Sequence, residues 1–393
     1  MSSALEGIRV LDFTMLLPGP WTTLFLADFG AEVIKIEEPK RGDYIREFTP
    51  YLKGISARHL LVNRNKKSMK LNLKTEEGRK IAHRLVETSD VLVEGFRPRV
   101  MDRLDLGYKR VSEINPKLIY CSISGYGQDG PYQKVVGHDM NYLGIAGALE
   151  LSGEADGPPA VPGIQIADIS SGGMMAALGI LVAIIARSKT GKGQYIDISM
   201  MDGSIAQLYA TAGDYFATGV PPRRGETRVS WVLGGYACYS MYKTKDGGYV
   251  TVGALEEKFW ANLCRKLNRE DIIELQFVPE KQDEVKKAIG EIFLTRTKDE
   301  WVKDFLEMDV CFGPVNNMAE TCRDPQVLFR EMITEVDHPE IGKVPQLGIP
   351  IKFSDTKGEI RMAAPGFGEH TMEILKDLGY DDDELKGLMK GVQ

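Results

Sequence analysis

Glycine and proline cut the first two hundred residues into short apolar runs that alternate with helical stretches, and that alternation most constrains the fold. Ile8-Arg9-Val10-Leu11-Asp12-Phe13 reads as a buried strand, Pro18-Gly19-Pro20 turns into an apolar helix through Ala27, and Phe29-Gly30-Ala31 stops it before a second strand, Glu32–Glu37. Proline at a helix start and glycine at its end are the punctuation of a βαβ unit. Further strands are expected at Asp90–Phe96, Leu118–Ser124 and Tyr195–Met200, with helices over Glu76–Thr88 and Gly173–Ser188. Strands separated by helices favour a parallel, doubly wound sheet. The expected fold class is therefore α/β, a large Rossmann-like domain with a smaller α/β domain.

A chain of 393 residues exceeds the commonest size of one domain. The polar stretch Pro221-Pro222-Arg223-Arg224-Gly225-Glu226 suggests a linker over 206–230. Beyond it, strands are expected at Cys238–Tyr242 and Tyr249–Ala254. Helices are expected at Lys258–Leu267, Lys281–Leu294 and Lys298–Met308, with a last short one at His370–Leu378. The expected division is 1–205 with 335–393 as the large domain and 231–334 as the small one.

A net charge of −7 argues against a nucleic-acid partner. Five scattered cysteines without a C-x-x-C spacing suit a reducing compartment, and neither they nor the five histidines suggest a metal site. The N-terminal residues show no secretory pattern, and Gly391-Val392-Gln393 is no peroxisomal address. The longest apolar run, near Met174 to Ala186, falls short of the ~20 residues of a membrane span. The expectation is a cytoplasmic protein without a membrane partner.

Gly125-Tyr126-Gly127-Gln128-Asp129-Gly130 matches G-x-G-x-x-G, but Asp129-Gly130-Pro131 turns where a dinucleotide fingerprint must run into a helix. NAD is therefore not expected. His138 follows that turn-rich loop, where Asp139 or Asn141 is placed to orient its ring. Asp168 precedes an apolar helix and is expected as its N-cap, kept ionised by the helix N-terminus. A histidine and an aspartate together suit proton transfer on two faces of one carbon. Glu256 follows a strand, and taken alone reads as a surface or capping acid; Cys311 is expected to be buried. Arg58, Arg64, Lys66, Lys67, Lys70, Lys74, Arg97, Arg99 and Arg103 cluster in the first 105 residues, a distribution that would suit a polyphosphorylated ligand such as coenzyme A.

These segments together resemble the class III CoA-transferase and α-methylacyl-CoA racemase family over essentially the whole chain. The markers are Leu5-Glu6-Gly7-Ile8-Arg9-Val10-Leu11-Asp12, Leu26-Ala27-Asp28-Phe29-Gly30-Ala31-Glu32-Val33-Ile34-Lys35, Asn65-Lys66-Lys67-Ser68, Ser124 to Pro131, Thr190-Gly191-Lys192-Gly193-Gln194 and Pro365-Gly366-Phe367-Gly368-Glu369-His370. The resemblance implies an interlaced homodimer acting on an acyl-CoA thioester, with no cofactor beyond the CoA moiety of the substrate. It implies acid–base roles for His138 and Asp168 at the α-carbon, and a contact from Glu256 to the histidine. In the transferase branch the aspartate at the place of Asp168 is instead a nucleophile. The segment Gly137-His138-Asp139-Met140-Asn141-Tyr142 matches the racemase branch. By the same match Leu71, Asn72, Leu73, Lys74, Arg97, Arg103 and the backbone of 137–142 contact CoA. Backbone amides near the start of the Gly172–Ser188 helix would hold the enolate. Two departures stand out: Glu38 replaces a nucleotide-binding arginine, which leaves Lys40 or Arg41 as substitutes, and Ile164 replaces an asparagine of some racemases.

Overall fold

The computed structural model describes residues 3–381 and 383–385. It divides into two compact units, one comprising 3–145, 164–204 and the described residues from 325 onward, the other 146–163 with 205–324. Three details differ from the expected division. Residues 146–163 leave the first unit and join the second, the return point lies near 325 and not 335, and 206–230 is no plain linker, since it carries a helix, Tyr209–Thr218. Gly213 is accommodated inside that helix, and the breaking signals, Gly219 and Pro221-Pro222, begin only at its end.

The first unit is built on six parallel strands: β1 (Arg9–Phe13), β2 (Glu32–Glu37), β3 (Lys66–Lys70), β4 (Val91–Glu94), β5 (Ile119–Ser124) and β6 (Tyr195–Ser199). Their order is β3-β2-β1-β4-β5-β6. The chain runs outward from β1 in one direction and then returns to run outward in the other. The switch point, where a doubly wound sheet opens a crevice at its carboxyl ends, therefore lies between β1 and β4. Helix α1 (Pro18–Asp28) joins β1 to β2, and α2 (Glu76–Glu87) joins β3 to β4. Thr75 caps α2 by accepting the Gly78 N–H. Residues Leu11, Ile34, Met69, Leu92 and Tyr120 of five strands pack with Ile81 and Leu85 of α2 in the main core.

β3 was not expected from the sequence, because Lys66-Lys67-Ser68-Met69-Lys70 alternates charge and looks solvated. The charge is instead internal. Lys66 and Lys35 are buried, with Lys66 Nζ 3.3 Å from Asp12 Oδ2 and Lys35 Nζ 2.9 Å from Asp43 Oδ2. Thr23 Oγ1 donates to Asp12 Oδ2 at 2.6 Å. Burial alone would push the Asp12 carboxyl up, but Lys35, Lys66 and the Thr14 and Thr23 hydroxyls bring it down to about 2, so it is held ionised. Arg64 is likewise buried against Asp28 at 2.7 Å, and Lys67 bridges Glu32 and Glu373. Three of the basic residues expected to face a polyphosphate are thus ion-paired structural groups.

After β5 the chain turns through Gly127 and Gly130, both at positive φ, and no helix forms until α3 (Asp139–Ala146). A π-helical turn over Ile166–Met174 then runs directly into α4 (Met175–Thr190). This continuous stretch of 25 residues, with a mean hydropathy of 2.1 over its most apolar window, is long and apolar enough to cross a membrane. The apolar run in the sequence looked too short because Asp168 and two serines break it, whereas the helix does not stop there. Ala176, Ala177, Ile180 and Ala183 are buried, while Leu178, Val182 and Ile185 form an exposed apolar stripe.

The second unit contains α5 (Tyr209–Thr218) and an antiparallel sheet of β7 (Tyr239–Lys243), β8 (Tyr249–Gly253) and β9 (Phe312–Pro314). Three helices pack with it, α6 (Glu257–Lys266), α7 (Gln282–Phe293) and α8 (Lys298–Phe305), around Trp260, Phe293, Trp301 and Phe305. The C-terminal part of the first unit adds a hairpin, β10 (Ile333–His338) with β11 (Gly342–Leu347), and α9 (Thr371–Asp377).

The buried pairs predict unequal stability effects. Lys35→Met strands the Asp43 carboxylate and is expected to cost about 3–5 kcal/mol in urea unfolding of the full chain. Lys67→Met breaks partly exposed pairs and should cost no more than about 1 kcal/mol. Equal costs would contradict the internal role of Lys35.

Candidate active site

Two cavities of the first unit converge on the same two side chains. One, of about 970 Å³, opens at the switch point and is lined by Thr14, Met15 and Leu16 after β1 and by Gly95, Phe96 and Arg97 after β4. The other, of about 880 Å³, is lined by Leu16, Trp21, Phe25, Phe48, Leu61 and Ile169, with Met332 and Leu347 from the C-terminal part. His138 and Asp168 line both. The first cavity also carries Arg99, Arg103 and Lys134. It combines these cations with the His138 and Asp168 side chains, and the second is mostly apolar.

Local hydrogen bonds explain how the pair is presented. His138 immediately precedes α3, and its backbone N–H donates to Asn141 Oδ1 at 3.0 Å. Asp139, in the first turn of α3, accepts the Asp168 N–H at 3.0 Å and so joins the start of α3 to the π-helical turn. Asn141 and Asp139 therefore engage backbone N–H groups here, and not the His138 imidazole as expected. Tyr142 Oη donates to Gly137 O at 2.5 Å, which braces the peptide before the histidine.

Asp168 is not an N-cap. It is the third residue of the π-helical turn, which Gln165 precedes as cap. Its carboxyl is raised to about 6, first by burial, then by the Asp139 charge, with His138 pulling the other way. The helix start does not hold it in the usual carboxylate range, contrary to expectation. A carboxyl poised near 6 beside a histidine can give or take a proton at neutral pH. Gly172 and Gly173 are buried inside the continuous helix, so no helix N-terminus exists there to receive an oxyanion. Both are required small: a Cβ on Gly172 would lie 2.9 Å from Met200, and one on Gly173 3.0 Å from Trp21.

The other expected site residues divide sharply. Arg97, Arg103, Gly137, Asn141 and Tyr142 line the 970 Å³ cavity. Met140 is exposed outside it, and Asp139 acts through the Asp168 amide. Leu71, Asn72, Leu73 and Lys74 line neither cavity; Leu71 is core, and the Asn72 carbonyl accepts the Thr75 hydroxyl at the start of α2. Arg41 is paired with Glu47 at 2.5 Å, Glu38 accepts the backbone N–H groups of Lys40 and Arg41, and neither Lys40 nor Arg41 lines either cavity. Ile164 is exposed. Glu256 belongs to the second unit, exposed at the N-cap of α6. Cys311 is exposed, not buried, because it stands just ahead of the short strand β9 along a cavity of that unit. Among the described residues no cluster of His, Cys, Asp and Glu suits a metal.

Sequence reasoning missed Leu16, Trp21, Phe25, Tyr44, Phe48 and Lys134 as cavity residues, whereas Arg99, from the expected basic cluster, does line the 970 Å³ cavity. Trp21 and Phe25, four apart on α1 with ring centroids 6.0 Å apart, carried a readable signal. Leu16 carried none, since its positive φ of 66° is invisible in the sequence.

A histidine and a raised carboxyl lining one crevice at the switch point of a doubly wound sheet suit an enzyme of the α/β class. The chain belongs to CoA-transferase family III, whose model matches residues 5–371. It is 35% identical over 393 residues to the succinyl-CoA:glutarate CoA-transferase of Homo sapiens, covering 98% of this chain and 88% of that one. It is 33% identical over 385 residues to the alpha-methylacyl-CoA racemase of Homo sapiens, covering 97% and 95%. A CAIB/BAIF family protein from Brucella suis superposes with a TM-score of 0.83 at 31% identity, covering 96% of this chain and 100% of that one.

Asp139→Asn keeps a side-chain oxygen for the Asp168 N–H but removes a negative charge. The Asp168 titration midpoint, followed by carbon NMR of the labelled carboxyl, should therefore move below its position near 6. An unchanged or higher midpoint would contradict the assigned cause.

Proposed function

We propose that this protein is an α-methylacyl-CoA racemase, epimerising the α-carbon of a 2-methylacyl-CoA thioester. The observation that carries the reading is the convergence of His138 and Asp168 on both cavities, with Asp168 poised near 6. One enantiomer meets ionised Asp168 as base and protonated His138 as acid. Asp168 takes the α-proton, the C–H electron pair moves into the thioester carbonyl as an enolate, and His138 protonates the opposite face. The enzyme then holds protonated Asp168 and neutral His138, the form that converts the other enantiomer. We assign the enolate oxygen to the first turn of α1, where Gly19 carries the N–H between Pro18 and Pro20 and lines the cavity with Asp168. Arg97, Arg99, Arg103 and Lys134 suit the phosphates of CoA.

A second reading is a CoA transferase, favoured by the 35% identity to a transferase. There Asp168 attacks the thioester carbon, the C–S bond breaks, and CoA thiolate leaves an acyl-aspartyl anhydride that it then re-attacks to give an enzyme–CoA thioester and free acid. That chemistry asks nothing of His138. Incubation with one enantiomer of a 2-methylacyl-CoA in deuterated water, without acceptor acid, separates the readings. The racemase reading expects deuterium at the α-carbon with loss of configuration. It also expects His138→Ala to stop racemisation while weakening ester binding by no more than about tenfold. No exchange in the wild type, with CoA transfer once a carboxylic acid is added, would establish the transferase instead.

The reading carries with it a cytoplasmic, interlaced homodimer. The exposed stripe of Leu178, Val182 and Ile185 on α4 supports self-association. Sedimentation equilibrium should give twice the chain mass of 43.7 kDa, and a single-chain mass at micromolar concentration would contradict the dimer.

A further inference from the structure

The 880 Å³ cavity has charged groups on an otherwise apolar wall, and their pairing is uneven. Its charged or titratable liners are Asp28, Arg58, Arg64, His138 and Asp168, with Tyr44. His138 and Asp168 form the reacting end. Arg64 and Asp28 satisfy each other through contacts of 3.1 and 2.7 Å. The remaining Arg64 nitrogen donates to Gln346 Oε1 at 3.2 Å and to the Leu347 carbonyl. Arg58 is different. Its guanidinium carbon lies 5.5 Å from the centroid of the Phe48 ring, another cavity liner, and among the described residues no carboxylate pairs with it.

A guanidinium over an aromatic face has its charge balanced only in part and keeps edge N–H groups free. Those N–H groups form the fork that matches a carboxylate. Trp21, Phe25, Leu61 and Ile169 supply apolar surface suited to methylene groups. Arg58 is exposed where it lines the cavity, so its free N–H edge is hydrated when the site is empty. A wholly hydrocarbon acyl chain would gain nothing from it, whereas a distal carboxylate would replace that water with a fork-matched ion pair.

We propose that Arg58 is a specificity-determining residue that binds the distal carboxylate of the acyl group, so that the substrate class is a CoA thioester of a dicarboxylic acid. This rests on the reading that His138 and Asp168 act on an acyl thioester. It adds a second recognition point to the same site and holds whether the reaction there is racemisation or transfer.

The test is a binding measurement by calorimetry with two unreactive CoA thioethers of equal chain length, one ending in methyl and one in carboxylate. The wild type is expected to bind the carboxylate form roughly 10- to 100-fold more tightly. Arg58→Met should abolish the preference with little change in affinity for the methyl form. Arg58→Lys, which keeps the charge and loses the fork, should restore part of it. No preference in the wild type, or a preference that survives in Arg58→Met, overturns the proposal. If Arg58→Met does not fold, the wild type and Arg58→Lys decide alone, an undiminished preference in Arg58→Lys counting against the fork. Because binding is read without turnover, the two claims fail separately. A wild type that discriminates between the chains but exchanges no α-proton overturns the racemase reading alone. Exchange without chain preference overturns the Arg58 proposal alone.

Discussion

Two lysines inside the sheet fix the segment on which both cavities depend. Lys35 Nζ donates to the Thr14 carbonyl at 2.8 Å and pairs with Asp43, whose Oδ1 in turn accepts the Leu16 N–H at 3.1 Å. The peptide that leaves β1 is thus gripped at both ends from beneath, which holds Leu16 in its left-handed conformation. Leu16 lines both the polar and the apolar cavity, together with Tyr44, His138 and Asp168. Lys66 extends the same network, donating to Pro20 O at 2.8 Å and Asn63 Oδ1 at 3.0 Å while it faces Asp12. Buried charge of this kind adds little net stability compared with apolar packing, but breaking one partner is costly, so the network specifies one loop geometry.

Above that fixed wall the chemistry is assembled from segments far apart in the chain. The Asp139 bond to the Asp168 amide registers α3 against the π-helical turn, so that the histidine before one helix and the aspartate inside the next open on common space. The π-helical turn itself packs on α1, with Thr22 Oγ1 donating to the Gly173 carbonyl at 3.1 Å. The close approach is possible because Gly172 and Gly173 lack side chains. Burial raises the Asp168 carboxyl to about 6 where it lines both cavities with His138.

The doubly wound sheet was legible in the sequence because β1, β4 and β5 are mostly apolar and β2 carries Val33, Ile34 and Ile36 directly after the Gly30 stop of α1. β3 was not, since its lysines imitate a solvated face and only tertiary ion pairs make them internal. His138 and Asp168 were readable as chemistry, and Arg97 and Arg103 as cavity cations. Leu71 to Lys74 were carried by resemblance alone, and the fold uses them for the core and the start of α2. The extent of the 25-residue helix and the poise of Asp168 depend on contacts between remote segments, which periodicity and composition do not encode.

The central claim is that two groups on opposite faces of one carbon divide the work. It is tested most directly by following α-proton exchange of each pure enantiomer separately in deuterated water, in His138→Ala and in Asp168→Ala. The account predicts that each variant still exchanges one enantiomer with retention of configuration and fails on the other, with opposite preference in the two variants. Equal loss of exchange from both enantiomers in Asp168→Ala, with His138→Ala unaffected, would contradict it.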